Sequence, residues 1–504
     1  MTEYFLEGLK YIFSLEMFIF INLGILIGII FGAIPGLTGT LGIIVFLPFT
    51  FNMEPAVSII FLMSIFCGGE FGGSISAILI GTPGTNAAAA TMIDGYPLAK
   101  KGHAKKALLT ALFASTFGGI VSGFALLFAA PAIADFTINF GPPEYFALAI
   151  FGLSIIAGIS GRNIVKGLIS GMLGVLIAMV GMDNMTGVMR FNFGNVNLMR
   201  GLSLLPVLIG IFAIPSIMEK VIDIFGDEHK KRKKIEINND DKLLKKDVKH
   251  IFPTMAKSSI IGTIIGAIPG AGTGIASFIS YDEARRSAKN NEKFGEGELK
   301  GVAASESANN AVTAASLIPL LTLGIPGSPS AAALIGAFMI QGMVPGPTLF
   351  KEQGTIVYAI MIGIVIANIF MFIQGRILTK TLAKVTEVPN ELMAPILVLM
   401  CTAGAYAVNN SVFEMGVFIV FGILSYLLIK LDFPPVPIVL GFVLGPLAEF
   451  NLRRSLVMSD GSWSIFFKRP ISLVFLVITV VMMILSCIRA RRKKEYNKYI
   501  EDDI

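Results

Sequence analysis

The 504-residue chain carries 40 Lys and Arg against 34 Asp and Glu, a net charge of +6, and is 54% hydrophobic but only 15% charged. Mean hydropathy is +0.76, whereas a soluble domain has about a quarter of its residues charged, so an ordinary water-soluble fold is excluded. The basic residues gather in loops and in the tail 489–494, the pattern that membrane orientation requires, and carry no nucleic-acid signal.

In chain order, the start (1–10) is polar with two acids and is not expected to be a cleavable secretory signal. The apolar run 17–31 is read as the first membrane element. Pro35-Gly36 interrupts the apolar residues between 17 and 51. The two arms are short, so they form either one long broken helix or a re-entrant hairpin with its tip at Pro35-Gly36. Apolar runs follow at 107–130, 145–159, 167–180 and 198–214. The stretch 227–249, with Lys230-Lys231-Arg232-Lys233-Lys234, is the most polar part of the chain and reads as a cytoplasmic loop between two halves. Further apolar runs lie at 355–373, 394–408, 412–429 and 471–488. A helix crosses the hydrocarbon core with ~20 apolar residues, which predicts an all-α polytopic membrane protein of roughly ten to fourteen membrane helices and half-helices. The expected division is a first membrane repeat (1–225), a basic cytoplasmic linker (226–250), a second repeat (251–450), and a C-terminal membrane helix with a basic cytoplasmic tail (451–504).

The halves share a pattern. Gly32-Ala33-Ile34-Pro35-Gly36-Leu37-Thr38-Gly39-Thr40 matches Gly266-Ala267-Ile268-Pro269-Gly270-Ala271-Gly272-Thr273-Gly274. Gly81-Thr82-Pro83-Gly84-Thr85-Asn86 matches Gly324-Ile325-Pro326-Gly327-Ser328-Pro329-Ser330, and alanines follow both. Four motifs in the same order indicate an internal repeat. The sparse charge of 47–55 beside the rich charge of 282–300 points to inverted repeats. Pro removes a backbone donor and Gly permits a turn, so each break frees N–H groups on one side and C=O groups on the other. Such groups cannot face lipid, and paired breaks in two halves point to a transporter site. For one motif a simple kink is the better reading; four paired motifs favour a site.

Polar groups within apolar segments come next. Helical spacing places Glu306, Asn310 and Thr313 on one stripe, with Ser305 and Asn309 beside it. Glu70 and Ser74 lie among Gly68, Gly69, Gly72 and Gly73, where packing is as good a reading as ligation. Asp94-Gly95-Tyr96-Pro97, leading into Lys100, Lys101, His103, Lys105 and Lys106, reads as a surface turn. The anion is expected at Gly36, Thr38, Gly39, Thr40, Pro83, Gly84, Thr85, Asn86, Gly270, Gly272, Thr273, Asn309, Asn310, Gly327, Ser328 and Ser330. A cation is expected at the carbonyls of Ile34 and Ile268 with Glu306 and Asn310. Cys67, Cys401 and Cys487 show no zinc or redox spacing, and His103, His229 and His250 sit near lysines. No catalytic site, cofactor or metal is expected other than a sodium ion. No phosphate loop, H-E-x-x-H or G-x-S-x-G occurs, so no enzyme is expected. A passive organic-anion channel is the runner-up, followed by an intramembrane hydrolase using Asp183, Glu306 or Glu414.

Together, the 32–40 motif, residues 71–102, and 306–311 with 324–347 resemble the large membrane subunit of the tripartite tricarboxylate transporter family. The resemblance covers most of 15–450. Phe71 stands where the family commonly has Tyr, and Ser305 where it commonly has Pro. The resemblance implies a multi-pass permease of the prokaryotic cytoplasmic (inner) membrane that takes up tri- or dicarboxylates by symport with an ion, typically sodium. It also implies two partners, a small membrane subunit and a periplasmic solute-binding protein.

Overall fold

The computed structural model describes residues 2–159, 164–183, 185–225, 235, 241–289, 292–385 and 388–484. The Lys230–234 run and the basic tail lie outside the described residues. The helices are α1 (Thr2–Ile12), α2 (Leu15–Ala33), α3 (Gly39–Phe46), α4 (Pro55–Ile80), α5 (Ala88–Leu98), α6 (Ala104–Thr137), α7 (Pro142–Ile159), α8 (Ile164–Ala178) and α9 (Leu204–Phe225). They continue with α10 (Lys245–Ala267), α11 (Gly272–Arg286), α12 (Leu299–Ala315), α13 (Leu317–Leu323), α14 (Pro329–Ile340), α15 (Leu349–Glu352), α16 (Gly354–Val385), α17 (Asn390–Ala407), α18 (Val412–Lys430), α19 (Pro435–Met458) and α20 (Ile465–Lys468). Among the described residues, seven helices are long and apolar enough to cross a membrane and five shorter ones are apolar. This is the all-α polytopic membrane protein that the composition predicts. One two-stranded ribbon, Gly181–Met182 against Met189–Arg190, joins α8 to α9.

The chain folds as two compact units, 1–136 with 216–407 and 137–215 with 408–504. In the first, α2 and α4 run side by side in the same direction. Gly24 faces Phe61, Gly28 faces Ile65 and Gly32 faces Gly69. A Cβ on Gly32 would stand 2.1 Å from the Gly69 carbonyl oxygen, and one on Gly28 2.3 Å from that of Ile65. The backbones therefore touch, and only glycine permits the approach. Between them α3 turns back. A continuous helix would separate Phe31 from Phe46 by roughly 22 Å at ~1.5 Å per residue. Instead their rings lie 5.9 Å apart, and Phe46 also meets Phe61 at 6.2 Å. Pro35-Gly36 is thus the tip of a hairpin.

The second repeat does the same. Gly262 packs on Ala308 and Gly266 on Val312, so α10 and α12 run together. Returning between them, α11 pairs Glu283 with Lys257 of α10 and sets Tyr281 against Gly301 of α12. Ile34 (φ −88°, ψ 117°) and Ile268 (φ −84°, ψ 115°) have matching backbones. Gly36 and Gly270 match as well, with φ of 80° and 77°.

The second unit also uses glycine seams, Gly174 of α8 on Ile438 of α19 and Gly441 of α19 on Gly171 of α8. Asp183, Arg190, Glu449 and Arg453 tie the ribbon to α19 through ion pairs. Hydrogen bonds from Thr186 and then Arg453 hold the Asp183 carboxyl well below the usual carboxylate range. A depressed folded pKa means this tie is present above the unfolded carboxyl pKa of about 4 and is lost only in stronger acid.

The α2–α4 seam gives the first prediction. Gly28→Val should collapse the monodisperse folded peak in detergent or lower its melting temperature by several degrees. Gly416→Ala, whose Cβ would meet nothing within 4 Å, should leave melting unchanged.

Candidate functional site

All four Pro-Gly motifs lie in the first unit. Within each repeat the second motif packs on the first. A Cβ on Gly84 would stand 2.0 Å from the Gly32 carbonyl oxygen, and one on Gly327 2.9 Å from that of Gly266. The equivalent glycines thus meet equivalent partners. Gly270 N–H also donates to the Gly327 carbonyl (3.1 Å), and Gly84 N–H to that of Gly73 (3.3 Å).

Several expected hydroxyls serve as helix caps. Thr38 accepts from Leu41 N–H (3.2 Å), Thr85 from Ala88 N–H (3.3 Å) and Ser328 from Ala331 N–H (3.1 Å). These cover free donors at the starts of α3, α5 and α14. No side chain among the described residues caps α11, which begins at Gly272 after Ala271. Its first N–H groups keep their donor capacity and the partial positive charge of a helix start. The Ile34 and Ile268 carbonyls accept from Leu37 N–H (3.0 Å) and Ala271 N–H (3.3 Å), so both lie inside the turns.

Two joints link the repeats. Thr40 of α3 shares a hydrogen bond with Ser330 of α14 (2.7 Å). At the corresponding place Gly274 of α11 stands against Asn86, ahead of α5. At the centre α4 meets α12. Asn309 Nδ2 donates to the Glu70 carbonyl (3.2 Å), and the Cys67 thiol reaches Thr313 Oγ1 (3.8 Å). Number rises along α12 as it falls along α4, so these two helices cross in opposite senses.

The polar stripe is buried in this layer. Glu306, Asn309, Asn310 and Thr313 are 0% exposed. Thr91 and Ser115 donate to the two Glu306 carboxyl oxygens, the latter at 2.7 Å. Glu70, also buried, faces Thr273 and Glu306. Neither glutamate has an ion-pair partner among the described residues. Glu70 Oε2, Asn309 Oδ1, and both Nδ2 and Oδ1 of Asn310 have no hydrogen-bond partner among them either. Native interiors satisfy nearly all such groups. Several such atoms gather in one layer, beside the start of α11.

The structure does not leave Asp94 in a surface turn. It lies inside α5, fully buried. Its carboxylate accepts from the N–H groups of Gly295, Gly297 and Glu298 (2.8 Å each) and from Tyr281 OH (2.9 Å). Lys220 of α9 was also hidden in the sequence. It is 2% exposed, and its ammonium donates to the Pro35 carbonyl at 3.0 Å. Neither partnership has a local signature, because the partners are about two hundred residues apart.

The family model described as the tripartite tricarboxylate transporter TctA family matches residues 18–440. The chain is 37% identical over 480 residues to an uncharacterized 52.8 kDa protein of the TAR-I ttuC' 3'region of Agrobacterium vitis, covering 95% of both chains. It is 39% identical over 242 residues to an uncharacterized protein of the TAR-II ttuC' 3'region of the same organism, covering 48% of this chain and all of that one. No solved structure matches.

Removing the Asp94 acceptor leaves the Tyr281 hydroxyl buried without it, at about 1–3 kcal/mol, and releases the three loop N–H groups of Gly295, Gly297 and Glu298. Asp94→Ala should therefore speed tryptic cleavage after Arg286, Lys289 or Lys293 at least tenfold. Cleavage at the native rate would contradict the clamp.

Proposed function

We propose that this chain, which belongs to the tripartite tricarboxylate transporter TctA family, is the permease of a secondary uptake system that couples a carboxylate to a cation, sodium being the leading candidate. The family makes it a transporter component with several apolar membrane-spanning helices. The rest is the reading that the site geometry supports best.

The observation that carries it is the buried layer of Glu70, Asn309 and Asn310 with its orphaned polar atoms, bounded by the helix breaks of both repeats. Amide N–H groups of Asn310 and the uncapped start of α11 suit carboxylate oxygens. The carboxyls of Glu70 and Glu306 lack a counter-cation among the described residues. A bare buried carboxylate is costly, so these acids favour uptake of Na⁺ or H⁺ along with the anion. Solute and cation then neutralise each other's field, which is the physical basis of coupling. A passive channel would have no such need of paired charges.

The opposed α4 and α12 and the matching Thr40–Ser330 and Gly274–Asn86 joints support inverted repeats. In that reading the repeats rock about the crossing and expose the layer to each side in turn. The tripartite family implies a small membrane subunit and a periplasmic binding protein that delivers the solute. The basic linker and tail favour the cytoplasm for both, with the chain in the prokaryotic inner membrane.

The test is sodium-gradient-driven citrate uptake in vesicles carrying the chain with its partner subunits. Asn310→Ala and Pro269→Leu should each cut uptake at least tenfold, with insertion and monodispersity retained. Uptake that never exceeds the citrate gradient would favour the channel, and full activity in both variants would move the site elsewhere.

A further inference from the structure

The two hairpin tips share one backbone shape but not one electrostatic environment. At each, a helix ends at an extended isoleucine, then Pro, then a left-handed Gly. The last carbonyls of α2 and α10 have lost their helical partners and carry the negative end of the helix dipole. At the first tip, the Lys220 ammonium donates to the Pro35 carbonyl at 3.0 Å, and a Cβ on Gly36 would stand 3.7 Å from it. At the second tip, the Pro269 carbonyl receives no side-chain donor among the described residues.

Lys220 is unusual for its place. It lies in one of the seven long apolar helices, five residues before its end at Phe225, with almost no exposure. Its helix neighbours Asp223 and Glu219 are close enough to act on its charge. A lysine on this helix could extend its flexible stem to water. This one turns inward to a proline carbonyl. An ionisable group kept inside a membrane helix marks function by default.

We propose that Lys220 is a tethered cation that occupies, at the first tip, the carbonyl position that a transported cation takes at the second. This rests on the ion-coupled reading above. The pseudo-equivalent tips would otherwise offer two cation positions. Lys220 fills one permanently, so the repeats differ in role. The first tip is fixed in its charged form, and the second gains and loses its ion during transport. Lys220 is a positioning residue in this account, because it sets the number of mobile cations without being placed against the solute.

The experiment is thermal melting of the purified full chain in detergent over a NaCl series, with ionic strength held constant by choline chloride. The dependence of melting on the logarithm of sodium concentration reports the number of ions bound to the folded state. Lys220→Ala should steepen that dependence by about one further ion, close to twofold if the native chain binds one, while Lys220→Arg should match the native chain. Should the alanine variant not fold, Lys220→Gln keeps a donor for Pro35 without the charge and gives the same comparison. An equal sodium dependence in native and neutral variants, with only a uniform loss of stability, overturns the proposal and leaves Lys220 as a staple. A native chain insensitive to sodium counts against sodium coupling. Even then, sodium dependence that appears only in the neutral variant supports the tethered cation, and its failure to appear overturns it.

Discussion

A helix broken inside an apolar environment exposes N–H and C=O groups that lipid cannot satisfy, and the first unit is organised by how it meets that demand. Each hairpin is sealed by backbone contact. Gly32 against Gly69 and Gly266 against Val312 bring helix axes closer than any side chain would allow. The second Pro-Gly of each repeat then lies on the carbonyl of the first motif's leading glycine. Breaks that would be intolerable in isolation shield one another, and the polar layer of α4 and α12 lies between the two sets.

That layer contains an electrostatic imbalance. Glu306 is supported by hydroxyls from α5 and α6, and Glu70 lies beside Thr273. Hydroxyls ease burial of a carboxyl group but do not cancel its charge. By contrast, the Asp94 carboxylate is fully occupied by three N–H groups and a phenol. Asp94 is therefore fully satisfied, clamping α5 to the loop before α12, and Glu306 accepts at both oxygens, whereas Glu70 Oε2 has no hydrogen-bond partner among the described residues.

Much of this was legible in the sequence because it rests on repetition. Five consecutive identities at 32–36 and 266–270 fix the equivalence of the hairpins, and the stripe of Glu306, Asn310 and Thr313 follows from helical spacing. The hairpin reversal was not legible, since arms of this length permit a straight broken helix too; the Phe31–Phe46 contact distinguishes them. Asp94 beside Gly95 and Pro97 has the composition of a turn, and only a distant loop supplies the donors that let it be buried in a helix. Lys220 follows Glu219 near a charged linker, and nothing in its local sequence marks it for burial. Tertiary partners about two hundred residues away overrode local chemistry in both cases.

The central claim is that solute and cation meet in the layer between α11, α4 and α12. Thr273→Cys places a thiol at the uncapped start of α11 beside Glu70. Its modification by a small maleimide can be followed at that residue by peptide mass in membranes that retain uptake. The account predicts that citrate with sodium together slow labelling at least fivefold, and that either alone does much less. Labelling at an unchanged rate under saturating citrate and sodium, in a variant that still transports, would contradict it.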